Sequence, residues 1–401
     1  MKNWHHKTIG DLCRFSNGHG FTPRDWAKQG WPIIRIQNLN GSNDFNYFDG
    51  DPDPRWIVEP GELLFAWAGV PGVSFGPTIW TGPRGVLNQH IYRIAPNAGI
   101  DRDWLYAALK VVTSRIERKA HGFKSSLLHV KKGDITDQHI YLPTEEEQKE
   151  IARIIAISDR AIDLTERLIA AKQERRTWLM QKLLTGKSRL PGFGRSQECR
   201  KIHFGSFPAD WGYPRIGEIA KEISERNGTS NERPVLSCTK HQGLVDSLAY
   251  FGKRIFSENL STYKVVRRNQ FAYATNHIDE GSIGYQSQYD EALISPIYTV
   301  FQTDNTIDDR FLFLVLKTET YRHIFAVNTS ASVDRRGSLR WSDFARIHVP
   351  RPSLPEQQAI VKMFETVGRE LDLLSRQLDA FREQKRGLMQ QLLTGKVRVR
   401  V

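Results

Sequence analysis

A few short runs in this chain of 401 residues carry residue types that elsewhere do chemistry. Gly186-Lys187-Ser188 has the ending of a phosphate-binding loop, in which a lysine and a hydroxyl meet a nucleotide's phosphates. The glycine such a loop needs five residues earlier is Gln181, and the related run Gly395-Lys396-Val397 has no hydroxyl, so a helix end explains both. Gly192-Phe193-Gly194 lacks a preceding strand and the rest of a dinucleotide fingerprint. There is no HExxH, no Asn-Pro-Pro-aromatic run for amino-group methylation, and no cluster of carboxylates with a nearby lysine that would make a nuclease site. Cys13, Cys199 and Cys238 stand far apart in no CxxC or Cys/His spacing, which argues against a disulfide framework or a zinc site and for a reducing compartment. What is left is non-covalent chemistry: amides, imidazoles and an excess of cations. Lys+Arg number 57 against 45 Asp+Glu, a net charge of +12 that suits a polyanionic partner. No apolar run approaches the ~20 residues of a membrane helix, and Met1-Lys2-Asn3-Trp4-His5-His6 has no signal-peptide core, so the expected location is the cytoplasm.

The elements that must position these groups occur twice. At an offset of about 209 residues, Glu147-Gln148, Ile151, Asp163-Leu164, Arg167, Glu174, Leu179-Met180-Gln181 and Leu183-Leu184-Thr185-Gly186-Lys187 match Glu356-Gln357, Ile360, Asp372-Leu373, Arg376, Glu383, Leu388-Met389-Gln390 and Leu392-Leu393-Thr394-Gly395-Lys396. Each copy has the marks of a long helix. Thr144 with Glu147 and Ser353 with Glu356 have capping-box spacing, and Gly186 and Gly395 stand where a left-handed residue ends the helix. Ile360, Phe364, Val367, Leu371, Leu374, Leu378, Phe381, Leu388 and Leu392 keep the four-and-three spacing of a coiled-coil seam, broken at Lys385. Ile151, Ile155, Ile162, Ile169, Leu179 and Leu183 hold the same register more loosely, interrupted by Ser158, Thr165, Lys172 and Arg176. Both helices begin acidic and end basic, so an antiparallel pairing sets opposite charges face to face and suits each helix dipole.

The segments before the helices are faintly related as well. Trp4 and Ile9-Gly10-Asp11-Leu12 answer Trp211 and Ile216-Gly217-Glu218-Ile219; Phe65-Ala66-Trp67-Ala68 answers Phe271-Ala272-Tyr273-Ala274; His139-Ile140-Tyr141-Leu142-Pro143 answers Arg346-Ile347-His348-Val349-Pro350. Short β-rich runs (31–36, 62–67, 91–94, 297–301) mix with turns and with helical stretches near 103–119 and 309–326. The expected fold class is α+β: two mixed α/β modules separated by two long helices that form an antiparallel coiled coil, a pseudo-two-fold internal repeat. The expected boundaries are 1–141 for the first module, 142–190 for the first helical spacer, 191–350 for a linker (191–206) and second module, and 351–401 for the second spacer.

Variable module, helix, variable module, helix: this order resembles the specificity subunits of type I restriction–modification enzymes, in which two target-recognition domains alternate with two helical spacers. The resemblance spans essentially the whole chain. It is carried most specifically by Leu354-Pro355-Glu356-Gln357 and by the two exits, 183–187 and 392–396, with Phe65-Ala66-Trp67 and Asn88-Gln89-His90 in support. The second module departs, having Ser295-Pro296 where the first has Asn-Gln-His. The resemblance implies a non-catalytic subunit that reads a split, asymmetric double-stranded DNA target. It also implies two methyltransferase subunits and two motor/nuclease subunits as partners, no membrane, and no cofactor in this chain. S-adenosylmethionine, ATP and magnesium would belong to the partners, which would methylate adenines and restrict unmodified DNA.

The physics of such a role is coherent. Two similar modules on an antiparallel helix pair acquire an approximate two-fold axis like a duplex's local dyads, and a helix from about Glu147 to Leu184 spans roughly 55 Å, enough to set readers about one DNA turn apart. Base edges are read by donors and acceptors on loops. In the first module Arg35, Gln37, Asn38, Asn40, Asn88, Gln89, Lys124 and Ser125 fit, and in the second Lys240, His241, Gln242, Asn276, His277, Arg335, Arg336 and Arg340. Off the seam, Ile154, Ile157, Leu164, Leu168, Met363 and Leu373 leave more apolar surface than a two-stranded coil uses, which fits partner docking or packing on the chain's own modules. Two other readings stay open. A free-standing DNA-binding regulator would bind DNA tightly alone, and an enzyme with diverged motifs would turn over DNA alone.

Overall fold

Backbone pairing follows one plan in both modules. The computed structural model describes residues 4–120, 127–194, 198–202, 205–228, 233–240, 242–329 and 337–401. In the first module eight described strands carry the framework: β1 (Cys13–Asn17), β2 (Trp31–Ile34), β3 (Asn46–Phe48), β4 (Ile57–Val58), β5 (Leu63–Ala66), β6 (Gly76–Ile79), β7 (Gly85–Leu87) and β8 (Ile91–Pro96). One antiparallel sheet runs β1-β8-β5-β6 and a second runs β3-β2-β7-β4, with β2 and β7 parallel through Ile33 and Val86. In the second module β9 (Ala220–Ile223), β10 (Leu236–Thr239), β11 (Gly243–Asp246), β12 (Lys264–Arg267), β13 (Phe271–Ala274), β14 (Ile283–Tyr285), β15 (Glu291–Ile294) and β16 (Tyr298–Thr303) repeat it. Their first sheet runs β9-β16-β13-β14. The pairs β11-β10 and β12-β15 are joined by a parallel bridge, Val235 to Leu293.

Register corrects one sequence match. Pro96 pairs with Cys13 and Thr303 with Ala220, which aligns β8 with β16; Ile94 then pairs with Leu63, and its counterpart Phe301 with Phe271. Phe271 therefore stands at the place of Leu63, and Tyr273 at that of Phe65. The two Phe-Ala-aromatic-Ala runs are two residues out of step, because alternating apolar residues match equally well after a slip of two. Trp67 corresponds to Thr275: Val130 N–H donates to Trp67 O (3.1 Å) and Leu339 N–H to Thr275 O (2.8 Å).

Contacts divide the chain into two units, residues 1–167 with 375–401, and residues 168–374. Each unit is thus a module, the start of the helix that follows it, and the end of the other helix. The first spacer helix spans Glu145–Leu183 and the second Leu354–Leu392. In the first unit Ile151 and Ile155 share a core with Leu392 and Leu393, and Asp159 pairs with Lys385 and Glu166 with Arg382 (2.7 Å). In the second, Ile360, Val361 and Phe364 share a core with Leu183 and Leu184, and Glu370 pairs with Lys172 (2.8 Å). Start meets end in both, so the coil is antiparallel. The residues that interrupt the seam stay on it: Thr165 is buried and returns its hydroxyl to Ala161 O (2.7 Å), while Lys172 and Lys385 reach their carboxylates across it.

Each unit is closed by one buried carboxylate. Glu147 accepts from the Trp4 indole (2.8 Å) and from Arg398 (2.9 and 2.5 Å); Glu356 accepts from the Trp211 indole (3.3 Å) and from Arg189 (2.7 Å through Nη2, with a second bond through Nε). The next residue ties the module's own helical turn: Gln148 Oε1 accepts from Asp101 N–H (2.8 Å) and Gln357 Oε1 from Asp308 N–H (2.6 Å). Hence the repeated Glu-Gln. Both arginines lie just past a glycine in the left-handed region, Gly186 (φ 67°) and Gly395 (φ 69°), which turns the chain off its helix. A Cβ on Gly186 would sit 2.4 Å from Pro208, and one on Gly395 3.0 Å from Trp4.

Three local expectations change. The capping box forms at Thr144, but in the second copy Glu356 spends both oxygens on Arg189 and Trp211 and receives only the Ser353 carbonyl at its N–H. The helical stretch 309–326 is two helices, Asp309–Leu316 and Glu319–Asn328, because the Thr318 hydroxyl caps the second by accepting from Tyr321 N–H (3.4 Å). Two strands pair antiparallel at the linker, Cys199–Ile202 against Gly205–Pro208.

Candidate nucleic-acid interface

In the first module the chain leaves β2 at Arg35, whose N–H donates to Asn38 Oδ1 (2.9 Å), and makes a helical turn, Ile36–Leu39, where the sequence had implied continued strand. Asn38 is buried and gives its amide N–H groups to Ser42 O and Asp44 O (3.0 and 2.9 Å), so it shapes the loop and has nothing to offer a ligand. Asn40 is exposed beyond the turn. Arg35, Ile36 and Gln37 form one wall of a notch of about 400 Å³, Asn88, Gln89 and His90 another, with Phe21, Pro23 and Trp26 closing it. Four of the candidates, Arg35, Gln37, Asn88 and Gln89, thus converge. Lys124 and Ser125 lie outside the described residues.

The Asn88-Gln89-His90 tip is fastened through its backbone. Asn88 N–H donates to Ile34 O (3.0 Å), His19 N–H to Leu87 O (2.8 Å), Trp67 N–H to His90 O (3.2 Å) and the Trp67 indole to Gln89 O (3.1 Å). Among the described residues, the Asn88 and Gln89 side chains make no hydrogen bond within the protein, so both are free for a ligand. Gly20 makes the room: a Cβ there would lie 2.8 Å from Gln89 Oε1. Partial burial, and then the nearby His129, hold the His90 imidazole below its ordinary pKa, so at neutral pH it is an uncharged donor and acceptor. Beyond the candidates of base-reading type, the structure adds His90, the last residue of the Asn-Gln-His run, with Trp26, and nearby His19 stacked on Trp56 (4.0 Å between centroids).

The second module's candidates separate. Lys240 and Gln242 line a cavity of about 330 Å³ with Lys317, Arg322, Glu280 and Glu319. Lys317 already donates to Lys240 O and Gly281 O (2.7 and 2.9 Å), and Arg322 pairs with Glu319 (2.6 Å), so much of the cavity's positive charge is used internally. His277 contacts Glu280 (3.2 Å), the Asn276 Oδ1 is buried without a described partner, and Arg340 is exposed one residue past the Leu339–Thr275 link. His241, Arg335 and Arg336 lie outside the described residues. The structural counterpart of the Asn-Gln-His tip is Ser295-Pro296-Ile297, held by Thr275 Oγ1 donating to Ile297 O (3.3 Å), with the Ile297 side chain 58% exposed.

On the spacers, Ile154 packs on the first module's core and Met363 on the second's, which takes both out of the docking set. Ile157 (55%), Leu164 (52%), Leu168 (44%) and Leu373 (65%) stay exposed, with Trp178 (52%) beside them in kind.

One framework built twice and ending in unlike tips defines the class, a duplicated recognition protein. The family model for the type I restriction modification DNA specificity domain matches residues 1–172 and again 208–380, and the chain belongs to that family of non-catalytic DNA-recognition subunits. The type I restriction enzyme MjaVIII specificity subunit of Methanocaldococcus jannaschii is 25% identical over 368 residues, covering 86% of this chain and 81% of that protein. The EcoBI specificity subunit of Escherichia coli is 24% identical, covering 98% and 85%. The crystal structure of the type I restriction–modification S subunit from M. genitalium matches 98% of this chain and 96% of its own with a TM-score of 0.56 at 15% identity, a likeness of fold. No helix among the described residues is long and apolar enough to cross a membrane.

Proposed function

We propose that this chain reads a split, asymmetric duplex site in the cytoplasm, one half per module, and directs two methyltransferase subunits to the adenines of that site. Two motor/nuclease subunits would complete the restricting complex. S-adenosylmethionine, ATP and magnesium would be held by those partners. The observation that carries the reading is the pair of matching eight-strand frameworks with tips of unlike chemistry, Asn88-Gln89-His90 against Ser295-Pro296-Ile297. Equal scaffolds argue for two readers, and unlike tips for two different half-sites. Exposed Ile157 and Leu164 on the first unit, and Leu168 and Leu373 on the second, are the proposed docking residues for the methyltransferases. The test is co-expression with the cognate methyltransferase, the mass of the complex, and methylation mapping of plasmid DNA. The expected result is two methyltransferases per chain and adenine methylation at one bipartite motif with unlike halves. Failure to form a complex, with tight DNA binding by the chain alone, would favour the free-standing regulator.

A further inference from the structure

Arg35 faces no carboxylate among the described residues. Its Nη1 donates to the neutral Asn46 Oδ1 (2.8 Å) on the neighbouring strand β3, and its guanidinium carbon lies 5.5 Å from the centroid of the Trp26 ring. Among the described residues it makes no other side-chain hydrogen bond and no ion pair. The planar fork is therefore held in place from one edge and one face, and Arg35 lines the notch with donors that the protein leaves unused. A cation so held, without a counter-charge, is poised for acceptors supplied from outside.

The neighbours decide which acceptors. A phosphate cradle gathers several cations, but among the described residues no other lysine or arginine lines this notch; the remaining polar groups there are Gln37, Asn88, Gln89 and His90. Those are amides and an imidazole, suited to the edges of bases. Of the base edges in the major groove, guanine's presents two adjacent acceptors, O6 and N7, to a planar pair of N–H donors. We propose that Arg35 reads a guanine in the half-site contacted by the first module, with Asn46 and Trp26 as its positioning residues. This rests on the reading of the chain as a DNA-specificity subunit.

The experiment compares complexes of methyltransferase with the wild-type chain, Arg35→Lys, Arg35→Ala and Asn46→Ala, mapping methylation on a randomised-site DNA library. Lysine keeps the charge and loses the fork. Expected is a loss of preference for guanine of roughly 5- to 150-fold at one position of one half-site in Arg35→Lys and Arg35→Ala, with the other half-site unchanged, and a smaller loss in Asn46→Ala. An unchanged motif in both Arg35 variants overturns the proposal, as does an even weakening across all sites, the mark of a phosphate contact, or relaxation at a base other than guanine. A wild-type complex that methylates a split motif upholds the functional reading even when the Arg35 variants fail the prediction; a wild-type complex with no split motif overturns both.

Discussion

The tips of the two modules hang from corresponding strands and share one backbone bond, yet one presents Asn88, Gln89 and His90 and the other Ser295, Pro296 and Ile297. In the first, Ile91 N–H donates to Asn88 O (3.2 Å); in the second, Tyr298 N–H donates to Ser295 O (3.0 Å). The turn is closed by main-chain atoms in both, which leaves the side chains free to differ. Stability and recognition are thus carried by separate atoms, and one scaffold can serve two targets.

The closing carboxylates differ too, and substitutions there have the largest expected effects. The Arg189 side chain that meets Glu356 is 14% exposed, whereas Arg398, which meets Glu147, is 40% exposed. Glu356→Ala takes two charge-assisted bonds from a nearly buried guanidinium, which keeps the more exposed Asp210 (3.0 and 3.1 Å), and leaves the Trp211 indole without its acceptor, at an expected cost of about 2–4 kcal/mol. Glu147→Ala, whose partner can turn to water, is expected to cost about 1–3 kcal/mol. Urea unfolding of the two variants checks this order, and equal losses would break the comparison. Next are the helix exits: Gly186→Ala should destabilise by about 2 kcal/mol or more and Gly395→Ala by about 1–2 kcal/mol, since both meet the left-handed backbone penalty and only the first meets a 2.4 Å clash with Pro208. Melting temperatures rank them.

Acid sharpens the contrast further. Burial pushes the Glu147 carboxyl up, but Arg398, the Thr144 N–H and the Trp4 indole outweigh it and hold the group below its ordinary value near 4.5. A carboxylate depressed in the fold contributes stability above its unfolded pKa and loses it as pH falls through the folded one. Unfolding midpoints measured from pH 6 downward should therefore fall below about 4.5 in the wild type, and less steeply in Glu147→Gln. Smallest in stability is the tip itself: Asn88→Ala with Gln89→Ala should shift unfolding by no more than about 0.5 kcal/mol while altering the methylated motif in one half only.

Much of this was legible in the residues. Helix periodicity, acidic starts, basic ends and glycine exits are local signals, and they located both spacers and the antiparallel seam down to its polar interruptions. Arg35, Gln37, Asn88 and Gln89, which share one notch, could be chosen by type, as polar residues expected in loops. Asn38 has the same type, but its burial depends on the turn it builds. The two-residue slip at Phe65 arose because a strand's partner, unlike a helix's next turn, lies elsewhere in the chain. The closures at Glu147 and Glu356 were hidden for a similar reason: Arg398 stands 251 residues from Glu147, and neither residue alone predicts the other.

Residues 168–374 form one unit from continuous chain, whereas residues 1–167 need 375–401. During synthesis the second unit can close as soon as its own residues have left the ribosome, while the core around Ile151 and Ile155 still waits for Leu392 and Leu393. Closing that loop of roughly 200 residues costs little more entropy than closing one half as long, but it takes time. The unit translated first is the one finished last, and a chain interrupted before Leu392 would leave the ribosome with its older half unsealed.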